Sequence, residues 1–330
     1  MMTDPKQYTI GWICAVTCEF VAAQAFLDET HDYCRDSEGD SNTYALGKIG
    51  EHNVVIAALP LGLYGLTSAA TVAKDLVRSF PNVRIGLMVG IAGGAPSAKH
   101  DIRLGDVVVS RRSYNSSGVI QYDNGRQIQE QGFAQQGTLN STPTALATTV
   151  AGLEAHHELR GHELYHSIEK ALKKIRKRKA YAHPPLSSDR LYRSDVVHSS
   201  DATGSCAEVC GEGPSLLVQR EPRDEDDDYP VIHYGPIASA NALMKDAHMR
   251  DALAAENNIL CFEMEAAGLM NHFPCLVIRG ICDYSDTHKN DEWQGFAAMA
   301  AAAYATELLH NMQAHEVEAK KSLADALSTC

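Results

Sequence analysis

No stretch of this sequence approaches the roughly 20 consecutive apolar residues that a bilayer-spanning helix requires. The first residues, Met1-Met-Thr-Asp-Pro-Lys-Gln-Tyr8, lack a basic segment leading into an apolar core, so no signal peptide is expected. Positive charge is also short. The 29 Lys and Arg stand against 42 Asp and Glu, a formal net charge of -13, which argues against a nucleic-acid partner because phosphate binding needs a positive field. A small anion held by a few local donors is still compatible with that balance. The nine cysteines are odd in number and scattered, and Cys14, Cys261, Cys275 and Cys282 lie inside apolar segments. That usage suits buried thiols in a reducing compartment better than a disulfide framework. A cytoplasmic protein without membrane or nucleic-acid partners is expected.

What is present is ordinary for a globular chain: 330 residues, 45% hydrophobic and 22% charged, enough for one large α/β domain or two modest ones. Residues 9–16 form a nearly continuous apolar run, the mark of a strand buried on both faces. Residues 43–49 and 53–59 read as consecutive strands. A helix follows over 66–80, with Leu66, Ala69, Ala73, Leu76, Val77 and Phe80 on one broad face. A buried strand at 84–89 leads into a glycine-rich turn, Gly90-Ile-Ala-Gly-Gly94, and 105–110 is a further strand. Residues 144–179 read as helical and end in the basic run Lys173-Lys-Ile-Arg-Lys-Arg-Lys179. Residues 181–230 show little periodicity and contain Pro184-Pro185, Gly211-Glu-Gly-Pro214 and the acidic run Asp224-Glu-Asp-Asp-Asp228. They read as a long surface insertion, whose acidic run is a possible partner for the basic one. Strands at 231–234, 237–239, 259–262 and 275–281 then alternate with helices at 242–256, 265–271 and 293–312. The predicted fold is a single three-layer α/β domain over 8–312, a central mixed, mostly parallel sheet flanked by helices, with the insertion at 181–230 and a helical or frayed tail at 313–330.

Three acids, Glu19, Glu265 and Asp283, each stand at the end of a different predicted strand, where ligands collect in an open α/β sheet. Each has an ordinary explanation as a turn residue or as an acid favoured by a helix dipole; their convergence is what points to a site. Arg279 precedes Asp283 on the same strand. The Gly90–Gly94 stretch offers backbone N–H groups to a ligand. It matches neither a nucleoside-triphosphate loop, since no Gly-Lys-Ser/Thr follows, nor the dinucleotide fingerprint. His162-Glu-Leu-Tyr-His166 has the zinc-protease spacing, but 15 histidines make chance matches easy and no third ligand follows. Cys206-x-x-x-Cys210 with His198 and His183 nearby raises a zinc site; without a second close pair, free thiols in a loop are the favoured reading. No metal or cofactor is expected.

In combination, Ile10-Gly-Trp-Ile-Cys-Ala-Val-Thr-Cys-Glu19, Val89-Gly-Ile-Ala-Gly-Gly94, Leu104-Gly-Asp-Val-Val-Val-Ser110, Ile237-Ala-Ser-Ala-Asn241, Glu263-Met-Glu-Ala-Ala267 and Arg279-Gly-Ile-Cys-Asp283 resemble the nucleoside phosphorylase/nucleosidase superfamily. The resemblance is greatest to the methylthioadenosine/adenosylhomocysteine nucleosidase type and to a fungal purine nucleosidase branch often fused to signalling and repeat domains. It implies that Asp283 protonates purine N7, that Glu265 binds the ribose 2'- and 3'-hydroxyls with Met264 under the sugar, and that Arg279 orders the acids. It further implies that Glu19 positions the attacking water. Ala240, Asn241, Ala242 and Leu243 fall where the base is held, and Gly90, Ile91, Ala92 and Gly93 line the site. Two positions depart from the pattern: Ile91 and Cys282 stand where serines are common.

The resemblance implies a purine nucleosidase that needs no metal and releases free base and ribose, with adenosine, inosine and guanosine as candidate substrates, and a homodimer or higher homo-oligomer. Phosphorolysis would need an anion pocket, and the apolar Met88 and Ile91 beside Glu19 do not offer one. Arg190 and Arg193 in the insertion raise an alternative, a nucleotide N-glycosidase acting on ATP or AMP. A ligand-sensing oligomerisation module is the reading from outside enzymology.

Overall fold

The computed structural model describes residues 4–32, 39–113, 116–224 and 228–328. Regular structure begins with β1 (Ile10–Cys14) and α1 (Thr17–Ala25), followed by β2 (Glu29–His31), β3 (Thr43–Ile49) and β4 (His52–Ala58). Helix α2 (Leu66–Ser79) leads to the long strand β5 (Ile85–Gly94), then β6 (Val107–Ser110), β7 (Val119–Gln121) and a small hairpin of β8 (Gly125–Ile128) and β9 (Gly132–Gln135). Helices α3 (Thr144–Arg160) and α4 (Leu164–Leu172) come next, then the short α5 (Cys206–Val209). The last part alternates β10 (Ile232–Gly235), β11 (Ile237–Ser239), α6 (Ala247–Asn257), β12 (Cys261–Glu263), α7 (Ala266–Leu269), β13 (Cys275–Asp283) and α8 (Gln294–His310), and ends in α9 (Ala314–Glu318) and α10 (Leu323–Ser328).

Eleven strands of the described residues join in one mixed sheet whose main path runs β10-β6-β13-β5-β1-β4-β3-β2. β1, β5 and β13 lie at its centre and are buried along their length apart from the half-buried Ile91, which is why they read as unbroken apolar runs. Most pairings are parallel, including β1 with β4, β1 with β5 and β13 with β5. β5 is longer than its neighbour β1: Ile85–Met88 pair with β1, and after β1 ends, Gly93 and Gly94 pair antiparallel with β12 instead. The strand thus changes partner half-way along, and the divergence of β1 from β12 opens a crevice of the kind that holds ligands in α/β sheets.

Helix α8 packs on β13, β5 and α1. It is buried almost all round, so it carries alanines instead of an amphipathic stripe. Among the described residues no helix is long and apolar enough to cross a membrane. The close approach is set by Gly280 of β13, where an added Cβ would collide with the Ala297 carbonyl oxygen and come within 2.9 Å of its Cα.

Several expectations shift. Residues 90–94 are not a turn but the second half of β5. The helical stretch 144–179 breaks at Gly161, whose φ of 72° ends α3. The helix expected over 242–256 begins only at Ala247, because the Asp246 carboxylate accepts from the N–H groups of His248 (2.9 Å) and Met249 (3.0 Å) and so caps it there. β2, β7 and the β8–β9 hairpin are short and mostly not fully buried, and gave no periodic signal. Residues 181–224 are tied down with no more sheet structure than an isolated bridge between Tyr192 and Leu217: Arg223 Nη1 donates to the buried Asp106 at 2.7 Å, and Arg220 Nη1 to the Tyr284 hydroxyl at 2.8 Å. The centre of the acidic run, 225–227, lies outside the described residues; Asp228 accepts from the His162 N–H at 2.7 Å, and Lys174 donates to the Leu27 carbonyl at 2.8 Å.

Gly280→Ala should therefore push α8 off the sheet. A loss of about 1–3 kcal/mol is expected, read as a lower denaturant midpoint at unchanged slope; an unchanged midpoint would mean that the helix has room to move.

Candidate active site

β1 hands the chain straight into α1, whose first turn carries Glu19. Its buried carboxylate folds back: Oε2 accepts from the N–H groups of Ala15 (2.5 Å) and Val16 (3.1 Å), and Oε1 from the N–H of Ile91 on β5 (2.8 Å). The first two bonds are those of an acid at a helix start. The third crosses to another strand, which a dipole effect does not explain. β12 ends in Glu263, whose carboxylate caps α7 by accepting from the N–H groups of Glu265 and Ala266, each at 3.0 Å. Glu265 stands just before α7, and its Oε1 accepts from the Gly65 N–H at 3.3 Å.

Arg279 of β13 joins these acids and is fully buried. Its Nη2 is ion-paired with Glu263 and lies 3.5 Å from Glu265 Oε2, while Nη1 lies 3.9 Å from Glu19 Oε1. Gly90 is the partner of Arg279 across the β5–β13 pairing, and only glycine leaves room for this crossing. A Cβ there would collide with Glu19 Oε1 and lie 2.6 Å from Arg279 Nη1. Burial pushes the Glu19 carboxyl above the ordinary glutamate range, against the lowering effect of Arg279 and three N–H donors. Burial, with Glu263 and Glu19 adding to it, pushes Glu265 from 4.5 up to about 7, against Arg279 and the Gly65 N–H.

A cavity of about 580 Å³ opens onto this cluster. Glu19, Glu263, Glu265, Met264, Ile91, Ala92, Gly93 and Leu243 line it. Asp283 is buried one step away, facing a second cavity of about 550 Å³ that Arg190 also lines. Its Oδ1 accepts from the Ser285 N–H at 2.9 Å, its Oδ2 is ion-paired with Lys289, and a Cβ on Gly93 would lie 2.5 Å from Oδ1. Lys289 lines both cavities. Burial works against its charge, but the neighbouring Cys282 and Asp283 outweigh it and hold its pKa above the usual lysine value.

The remaining predicted residues are placed less centrally. Ala240 is buried in a small cluster with Tyr122 and Phe262, and Asn241 Oδ1 accepts from the Leu66 N–H at 3.1 Å. Arg190 pairs with Glu212, and Arg193 pairs with Asp195 at 3.1 Å on the surface, apart from both cavities. His162 and His166 do not share a helix face, because α4 starts at Leu164 between them. Glu263 and Lys289 were not read from the sequence as site residues. Glu263 had a signal, a second acid two residues from Glu265 at a strand end; Lys289, in an irregular loop, had none.

No protein-family model matches the chain. Its structure superimposes on the methylthioadenosine/S-adenosylhomocysteine nucleosidase of Helicobacter pylori with a TM-score of 0.57 at 16% identity, covering 93% of this chain and 99% of that one. It superimposes on the futalosine hydrolase of the same organism with a TM-score of 0.56 at 16% identity and the same coverage. The chain has the nucleosidase fold. The Streptococcus pneumoniae methylthioadenosine/S-adenosylhomocysteine nucleosidase gives 0.56 at 18% identity, with 92% and 100% covered. A curated relative is a nucleotide-binding leucine-rich repeat (NLR)-like protein of Hyaloscypha variabilis, 45% identical over 306 residues, which are 92% of this chain. The chain spans 29% of that relative's length.

The raised Glu265 has a consequence for stability. The folded chain holds a proton on Glu265 that the unfolded chain releases between pH 4.5 and about 7. Its contribution is therefore fully present below 4.5 and lost as pH rises through about 7. Thermal melts across this window should show wild type losing on the order of a few kcal/mol and Glu265→Gln losing less. Equal losses would place the titration on other groups.

Proposed function

We propose that the chain hydrolyses the N-glycosidic bond of purine ribonucleosides to free base and ribose. The observation that carries this reading is the buried Arg279 with Glu19, Glu263 and Glu265 at the floor of a nucleoside-sized cavity, in a fold whose solved neighbours include nucleosidases and a futalosine hydrolase. Breaking the bond leaves positive charge on the ribose and negative charge on the purine. Glu265 binds the ribose hydroxyls and, when ionised, stabilises the sugar cation. Met264 lies under the ring. A carboxylate has about four acceptor sites; three N–H groups occupy those of Glu19, which leaves about one for the water that captures the cation. Proton delivery to N7 is assigned to Asp283 together with Lys289, which reaches both cavities.

Water, not phosphate, is the proposed nucleophile. Among the described residues lining the cavity, Lys289 is the one lysine or arginine, and it is paired with Asp283. A phosphate would meet four carboxylates, Glu19, Glu263, Glu265 and Asp291, without a free cation. The exposed Leu61, Leu63 and Tyr64 stand in the loop at the cavity mouth, which supports a homo-oligomeric interface there. The NLR-like relative favours a second reading, a ligand-sensing module within a larger signalling protein.

Purified protein incubated with adenosine, inosine, guanosine, ATP and AMP, with and without phosphate, separates these. Free ribose without phosphate is expected, and Asp283→Asn or Glu19→Gln should slow it by about 10²–10⁴-fold. Ribose 1-phosphate formed only with phosphate would make this a phosphorylase. Turnover of ATP or AMP alone, lost in Arg190→Ala, would establish the nucleotide reading, and no turnover at all the sensing one.

A further inference from the structure

The second cavity carries a group that the proposed reaction does not use. His198 Nδ1 lies 3.2 Å from Cys210 Sγ and 3.5 Å from Cys206 Sγ, and all three donor atoms fall within 4.8 Å of one another. A tetrahedral zinc ion, with Zn–S of about 2.3 Å and Zn–N of about 2.0 Å, sets S···N separations of roughly 3.5 Å and an S···S separation of roughly 3.8 Å. The two S···N separations here are close to that, and the two sulfurs lie within 4.8 Å of each other. One imidazole nitrogen has a single proton or a single lone pair to offer. It cannot make a good hydrogen bond to two thiols at once, whereas three donors converging on one point can share an ion.

The scaffold is built for this convergence. Ser205 and Glu208 cap α5 reciprocally: the Glu208 carboxylate accepts from the Ser205 N–H at 2.9 Å, and Ser205 Oγ accepts from the Glu208 N–H at 3.4 Å. A turn of helix then puts Cys206 and Cys210 on one face. The His198 N–H donates to Thr287 Oγ1 at 2.9 Å, which fixes the ligand to the loop that follows Asp283. A second observation points to a ligand here. His288 is 7% exposed, and among the described residues neither ring nitrogen has a hydrogen-bond partner. Its ring stacks on Tyr192 at 3.9 Å and lies edge-on to His198 at 6.1 Å, while Asp286 Oδ1 stands 3.5 Å from Nδ1. His183, the other histidine that the sequence placed nearby, is elsewhere, with Nε2 2.7 Å from the Tyr229 hydroxyl.

We propose that His198, Cys206 and Cys210 form a zinc site whose fourth position faces the cavity shared by Asp283 and His288. Binding converts both thiols to thiolates, releases their protons to water and ties residues 198–210 together, next to the His198–Thr287 bond that reaches the loop carrying Lys289. This replaces the reading of free thiols and no metal.

The test uses the full chain, reduced, stripped with a chelator and desalted. Zn²⁺ is titrated in against a chromophoric chelator, and Co²⁺ in parallel. One tight equivalent is expected, with a thiolate-to-cobalt charge-transfer band and tetrahedral d–d bands for Co²⁺. His198→Ala and Cys206→Ser, verified as folded by circular dichroism, should weaken zinc by more than about 100-fold and lose the cobalt bands, while Cys18→Ser keeps both. Zinc should raise the melting temperature of wild type and not of the two ligand variants. Wild type without a tight equivalent, binding unchanged in both ligand variants, or a Cys206–Cys210 disulfide found by mass spectrometry in protein purified without reductant would each overturn the proposal.

Discussion

The site depends on one buried guanidinium. Arg279 is fully enclosed, and three carboxylates surround it. Taking such charges out of water costs several kcal/mol per ion and is recovered only by close pairing and hydrogen bonds. Glu263 has both, through its ion pair and the N–H groups of α7. Glu19 has three N–H donors and a distant share of the arginine. Glu265 has one N–H and a 3.5 Å approach, and its carboxyl is pushed up to about 7. One cation cannot hold three full negative charges in a low-dielectric pocket, so the cluster keeps an appetite for positive charge. On the proposed reaction, that appetite is met only when the ribose becomes cationic. This is binding of the transition state in preference to the ground state.

Holding that cluster requires the sheet to do two things in the same place. β13 must bring Arg279 into the middle of the fold, and the neighbouring strand must leave room for its side chain. Gly90 provides the room. β5 must also end its pairing with β1 so that α1 can begin, and then take up β12 so that Glu263 and Glu265 arrive from the other side. The register of β13 on β5 shifts between Ile281 and Asp283, and beyond the irregularity the chain turns Asp283 toward Lys289. The close seat of α8 on Gly280 holds β13 from behind, so the alanine-rich helix is part of the same constraint.

Much of this was legible from the residues alone, for a physical reason. Strands buried on both faces leave continuous apolar runs, so β1, β5 and β13 were readable, and with them Glu19 after β1 and Asp283 at the end of β13. The glycines at 90–94 were legible as close backbone approach but not as strand, because the same residues serve a tight turn equally well. What escaped was set by contacts distant in sequence. Glu263 acquires its role from an arginine 16 residues later. Lys289 finds Asp283 through an irregular loop. Arg190 and Arg193, three residues apart, part company because one faces a cavity and the other pairs with Asp195 in solvent. No local periodicity encodes such choices.

On the proposed reaction, the two cavities divide the labour of recognition. The first is walled by the sheet crevice and the acid cluster, and its chemistry suits a sugar. The second is walled largely by the 181–230 segment, through Arg190, Tyr192, His198 and Cys206, and by the loop from Asp283 to Glu292. Among the described residues only Lys289 touches both. On that reading, a change in the insertion would reach the reacting atoms by moving Lys289 against Asp283, apart from Arg279 and its carboxylates. A segment without strands of its own can hold such a wall only by point attachments, and Arg220, Arg223 and the His198–Thr287 bond are of that kind. A metal ion shared by His198, Cys206 and Cys210 would cross-link the segment to itself, and the His198–Thr287 bond would carry that rigidity to the loop after Asp283.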